Sequence, residues 1–123
     1  ILEADADRRA WEGPLAVLVG NGTAGPGEIV AAALSDSIGT PLVGQHTFGR
    51  AAQTRPVPLP EGGLVLTVAK YMSPSGISIH GDGIAPSVAV AREDREDEAD
   101  GPDRVLEKAL EVLATEQELP AAA

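Results

Sequence analysis

Apolar and polar positions divide this 123-residue chain into short apolar runs separated by small-residue turns. Residues 1–13 are mainly polar and read as an arm or the end of a helix, with Trp11 expected as a packing anchor because tryptophan is usually largely buried. Leu15 to Val19 is continuously apolar, the pattern of a strand covered on both faces in a parallel sheet. Asn21 to Gly27 is turn material. Pro26 suits a first helical position, Glu28 sits in the first turn near the positive end of the helix dipole, and the helix is expected to run to about Ser37. Ile29, Val30, Ala33 and Leu34 fall at core spacing along it. Pro41 to Gly44 completes a β-α-β unit.

A hairpin is expected next, from Thr54 to Leu59 and from Leu64 to Met72, turning at Pro60-Glu-Gly-Gly63. The β-branched second arm is the stronger strand, and Pro56 and Pro58 make the first arm an edge. Ser73 to Gly76 is a turn, and Gly81 to Pro86 is a loop before a last strand over Ser87 to Ala91. The domain reading is therefore an arm at 1–13, a core at 14–91, a linker at 92–101, an amphipathic helix at 102–114 and a frayed tail at 115–123. The helix places Val105, Leu106, Ala109, Leu110 and Leu113 on one face, with Asp103 near its start. The expected fold is α/β: a β-α-β unit, a hairpin and a C-terminal helix.

Composition narrows the function classes. Hydrophobic residues make up 43% of the chain and aromatics only 2%, so the core must be aliphatic. A formal charge of −10 argues against nucleic acid and against an anionic membrane surface as partners. Arg92 to Asp100 holds six acids against two arginines and reads as a solvated linker. There is no cysteine, which excludes disulfides and thiol catalysis. No run approaches the roughly 20 apolar residues of a membrane span. The first residues lack a signal-peptide pattern, and the absence of an initiator methionine reads as a piece of a longer protein.

Six stretches carry a resemblance: Gly22-Thr-Ala-Gly-Pro-Gly-Glu-Ile29, Val43-Gly-Gln-His-Thr-Phe-Gly49, Gln53-Thr54, Leu59-Pro-Glu-Gly62, Tyr71-Met-Ser-Pro-Ser-Gly76 and Gly81-Asp-Gly-Ile-Ala-Pro86. In this order, from Pro14 to Val90, the chain resembles the C-terminal half of the catalytic core of the C-terminal processing, or tail-specific, serine peptidases. The resemblance implies a fold related to ClpP and the crotonases, and proteolysis through a Ser/Lys dyad. The family's turn reads Gly-Ser-Ala-Ser-Ala-Ser-Glu, with the middle serine as nucleophile. Aligned on Glu28, its three serine positions fall on Thr23, Gly25 and Gly27. The family's base is the lysine directly after Thr-Phe-Gly, here Arg50, and the separation of 50 − 25 = 25 residues agrees. The glutamine that orients the lysine corresponds to Gln53, one residue closer than usual.

These replacements remove both halves of the chemistry. A serine at a helix N-terminus needs a base to take its proton, and lysine can act as one when burial lowers its pKa. Arginine stays protonated and glycine has no nucleophile. Thr23 lies two positions early for the role. Of the two histidines, which lie far apart in sequence, His46 is expected in a loop beside the site. Ser35 and Asp36 are expected to close the helix, and Ser73 and Ser75 to serve their turn. Neither metal-ligand spacing nor a P-loop lysine is present, and no cofactor is implied.

The expected function is therefore a peptidase-family core with its dyad lost, left with a peptide-binding or scaffolding role. An active serine peptidase using unrecognised residues and a non-proteolytic ClpP/crotonase-like protein are the alternatives. The implied partners are polypeptide C-termini or unfolded proteins, together with the upstream half of the core or another copy of the chain. That upstream half holds a glycine-rich oxyanion turn, often preceded by a PDZ domain. The resemblance implies a bacterial, extracytoplasmic location in the periplasm or cell envelope.

Overall fold

The computed structural model describes residues 11–91 and 103–118. The expected linker, most of the arm and the last residues of the tail lie outside the described residues. Strand β1 (Val17–Val19), helix α1 (Pro26–Ile38) and strand β2 (Leu42–Gly44) form the β-α-β unit. Strand β5 (Val88–Ala89) pairs with the other side of β2, giving a parallel sheet in the order β1-β2-β5. Two closely spaced parallel strands need a crossover, and α1 supplies it. Central β2 is the most buried strand, with Leu42 2% and Val43 0% exposed. The hydroxyl of Ser87 accepts from the Leu42 N–H at 2.9 Å and donates to the Leu42 carbonyl at 3.2 Å, holding the start of β2.

Aliphatic residues make two small cores. Val19, Ala31 and Leu42 form one, with Val17 and Ile84 against it. Ala32, Ala51 and Ile79 form the other, joined by Ile29 and Ile84. The inward face of α1 is thus centred on Glu28, Ala31 and Ala32, rather than on the larger aliphatics expected from spacing. Val30, expected in the core, is 57% exposed. Gly39 in the left-handed conformation ends α1, and its N–H donates to the Ser35 carbonyl at 3.0 Å.

Strands β3 (Ala52–Leu59) and β4 (Gly62–Lys70) form a separate antiparallel ribbon turning at Pro60-Glu61. An open edge on β3 accommodates Pro56 and Pro58. Both strands begin and end close to their expected bounds, but the ladder slips one residue between Gln53 and Thr54. Helix α2 (Arg104–Glu118) packs against β1 and β2. It starts on Asp103, whose carboxylate accepts from the Val105 and Leu106 N–H groups. Residues 115–118, expected in a frayed tail, continue this helix. Ala109 is buried, whereas Leu106 and Leu110 are 46% and 57% exposed, so the buried stripe is narrower than its sequence period suggests. Trp11 is no anchor: it is 65% exposed, its indole N–H donating to the Pro14 carbonyl at 3.3 Å.

Candidate active site

The turn before α1 is closed locally. The Thr23 N–H donates to the Gly20 carbonyl, and the Thr23 hydroxyl accepts from the Gly20 N–H at 3.0 Å. That hydroxyl therefore serves the turn. The Thr23 carbonyl in turn accepts from the Phe48 N–H, which draws the second loop alongside. Gly25 follows as the N-cap of α1 with φ 56° and ψ −120°, a backbone region that side-chain-bearing residues rarely adopt. A Cβ built there would nevertheless meet only the Arg50 carbonyl oxygen, at 3.9 Å. Two positions separated by 25 residues in sequence are thus neighbours across the loop.

Glu28 makes them so. Its side chain is completely buried. One carboxylate oxygen accepts from the Thr47 hydroxyl and from the Gly49 N–H at 2.6 Å. The other accepts from the Gly25 N–H at 2.9 Å and the Arg50 N–H at 2.8 Å. Burial by itself pushes this carboxyl up, but the Thr47, Gly49, Arg50 and Gly25 donors together hold it below the ordinary glutamate range. The Thr47 hydroxyl also accepts from the Ile84 N–H at 2.8 Å, extending the network to the loop before β5. That loop comes close enough to need glycine at position 83, where φ is +69° and a Cβ would lie 2.6 Å from the Thr47 carbonyl oxygen. Sequence reasoning gave Glu28 only a role at the helix dipole. Its position three residues after the N-cap fits the carboxylate half of a capping box, but its partners in the second loop have no local signal.

Gly25 and Arg50 line one cavity of about 540 Å³, with Thr54 of β3, Val65 and Thr67 of β4, and His80. Among the described residues the Arg50 guanidinium has no ion-pair or hydrogen-bond partner. The Nδ1 atom of His80 is buried with no partner. Gln53 is exposed and does not line this cavity, although its neighbours Ala52 and Thr54 do. His46, expected beside the site, does not line this cavity, and His80 does. His80 stands at the Gly25–Arg50 cavity, while His46 lines a second cavity of about 470 Å³ with Asp36, Ser73 and Asp82. The ring of His46 bonds the Thr47 carbonyl through Nδ1, at 3.1 Å.

Asp36 also departs from expectation, because Gly39 closes α1 instead. The Asp36 carboxylate accepts from the Ser75 N–H at 2.9 Å, and hydrogen bonds from Ser75 and Ser73 hold it below the usual carboxylate range. The two serine hydroxyls lie 2.8 Å apart within their own turn. Among the described residues no group of histidines and acids can hold a metal ion. No helix there is long and apolar enough to cross a membrane.

Residues 2–90 match the sequence profile of peptidase family S41. The chain is 37% identical over 107 residues to a chloroplastic C-terminal processing peptidase of Tetradesmus obliquus, spanning 86% of this chain and 23% of that protein. It is 40% identical over 89 residues to the carboxy-terminal processing protease CtpA of Bacillus subtilis, spanning 72% of this chain and 19% of that protein. Among solved structures it resembles a photosystem II D1 C-terminal processing protease, with a TM-score of 0.58 and 41% identity over 63% of this chain and 20% of that one. The chain spans about a fifth of the length of these relatives, which come from both chloroplasts and bacteria.

Proposed function

The chain belongs to peptidase family S41, and we propose that this segment is a non-cleaving form of a C-terminal processing core that binds polypeptide. Gly25 stands at the nucleophile position, Arg50 at the general-base position, and Gln53 at a displaced orienting position. The observation that carries the reading is the pairing of the first two. One oxygen of Glu28 binds the main-chain N–H of each, and both face the same cavity.

Acyl transfer at such a site requires an attacking oxygen and a group to take its proton. Gly25 offers no oxygen. Arg50 keeps its proton, since a guanidinium is not deprotonated in proteins. Among the described residues the side-chain hydroxyls in the cavity are those of Thr54 and Thr67, on the hairpin. Groups that contact substrate without forming a bond to it survive the loss of a dyad, so capture outlasts cleavage. The extracytoplasmic location implied by the family resemblance belongs to the same proposal.

The test incubates the protein with unstructured polypeptides bearing apolar C-termini, alongside a serine-reactive phosphonate. The expected result is binding with neither cleavage nor labelling. Cleavage accompanied by labelling would overturn the proposal. The paired substitution Gly25→Ser with Arg50→Lys asks in addition whether the frame accepts a restored dyad.

A further inference from the structure

The cavity at Gly25 is unusual in its charge. Among the described residues no acid lines this cavity, and the one formally charged lining residue is Arg50. The Glu28 carboxylate does not neutralise that guanidinium: both of its oxygens are taken by Thr47 and by three main-chain N–H groups. Arg50 is bound to Glu28 through its backbone, which leaves its side chain free to face the cavity. An unpaired guanidinium beside apolar walls and hydroxyls recruits a carboxylate, whose two oxygens match the guanidinium fork.

We propose that this cavity is a carboxylate-binding site, with Arg50 as its anchor and a polypeptide's terminal carboxylate as its ligand. Thr54 and Thr67, on facing strands, supply hydroxyl donors, and Val65 with Ala52 supplies an apolar wall for the side chain of the terminal residue. His80 adds an imidazole whose Nδ1 has no other partner. A phosphate fits less well. Phosphate cradles at helix starts rely on free backbone N–H groups. Here the Gly25 N–H serves Glu28, Pro26 has none, and the Gly27 N–H serves the Ala24 carbonyl. Replacing a base with arginine thus changes the site from one that transfers a proton to one that holds an anion. The proposal rests on the reading of the segment as a polypeptide binder.

The experiment measures fluorescence anisotropy of a labelled heptapeptide with an apolar C-terminal residue, prepared as the free acid and as the amide, with acetate and inorganic phosphate as competitors. The free acid is expected to bind about ten-fold more tightly than the amide. That preference should vanish in Arg50→Gln and persist in Arg55→Gln, a control that removes a hairpin charge outside the cavity. Equal binding of acid and amide overturns the carboxylate site while leaving the polypeptide reading intact. Failure of both peptides to bind, with acetate still producing Arg50-dependent chemical-shift changes, keeps the carboxylate site and overturns the polypeptide reading. Phosphate competing more strongly than acetate overturns the proposed ligand chemistry. Absence of any binding overturns both readings. Unchanged thermal unfolding of Arg50→Gln confirms that the lost preference is not lost folding.

Discussion

The carboxylate of Glu28 holds the main-chain N–H of Arg50 at 2.8 Å, across twenty-two residues of sequence. With the contacts to Thr47 and Gly49, this contact joins the start of α1 to the loop after β2. The same oxygen also binds the Gly25 N–H, so the geometry of the site depends on a residue that does not line it. Buried carboxylates with a full set of donors are stable only while those donors stay in place, which makes the network stiff.

Replacing Glu28 with glutamine should therefore cost about 3 kcal/mol, because the uncharged amide sets its NH2 against the Gly49 N–H or, flipped, against the Gly25 and Arg50 N–H groups. Urea unfolding of the two proteins measures it. A cost below about 1 kcal/mol would show that the loops are held together by something else.

The pH dependence follows from the same group. Glu28 lies below the ordinary value of 4.5 in the folded chain, so its contribution is complete above that value and is lost as pH falls through the lower folded-state value. The stability gap between the wild type and Glu28→Gln should be widest at neutral pH and close in acid. Denaturant midpoints measured from pH 7 down to pH 3 read this directly, and a gap independent of pH would contradict the assignment.

Thr47→Val should cost about 1–2 kcal/mol, since it removes the hydroxyl between Glu28 and the Ile84 N–H and leaves a part-buried donor unmet. Combined with Glu28→Gln, the loss should fall short of the sum of the two. A double-mutant cycle tests whether the two residues act as one network.

Two glycine substitutions should rank clearly. Gly25→Ala meets only the strain of its backbone conformation, about 1–3 kcal/mol, because the space for a Cβ is open. Gly83→Ala meets similar strain and also a main-chain oxygen 2.6 Å away, so it should lower the melting temperature considerably further. The reverse order in a thermal melt would mean that the loop before β5 is not packed as described.

Trp11→Ala should change stability by no more than about 0.5 kcal/mol, given the 65% exposure of the ring. A larger loss would reinstate Trp11 as an anchor.

Local pattern was enough to read the β-α-β unit, the hairpin and the second helix, since periodicity and turn chemistry act over a few residues. The family resemblance, carried by the turn before a helix and a Thr-Phe-Gly stretch, singled out Gly25 and Arg50, because such motifs hold their identity in adjacent positions. Tertiary structure alone decided the rest. Glu28 became the centre of the site only when Thr47, Gly49 and Arg50 arrived beside it. His80 reached the cavity because the neighbouring Gly81 N–H donates to the Gly49 carbonyl, while Gln53 stayed outside it on the slipped ladder. Trp11 and Val30 stayed in solvent because helical spacing and residue type say what can be buried, not what will be opposite. Hydrogen bonds and burial between segments distant in sequence depend on where the backbone brings them. No window along the chain contains that information.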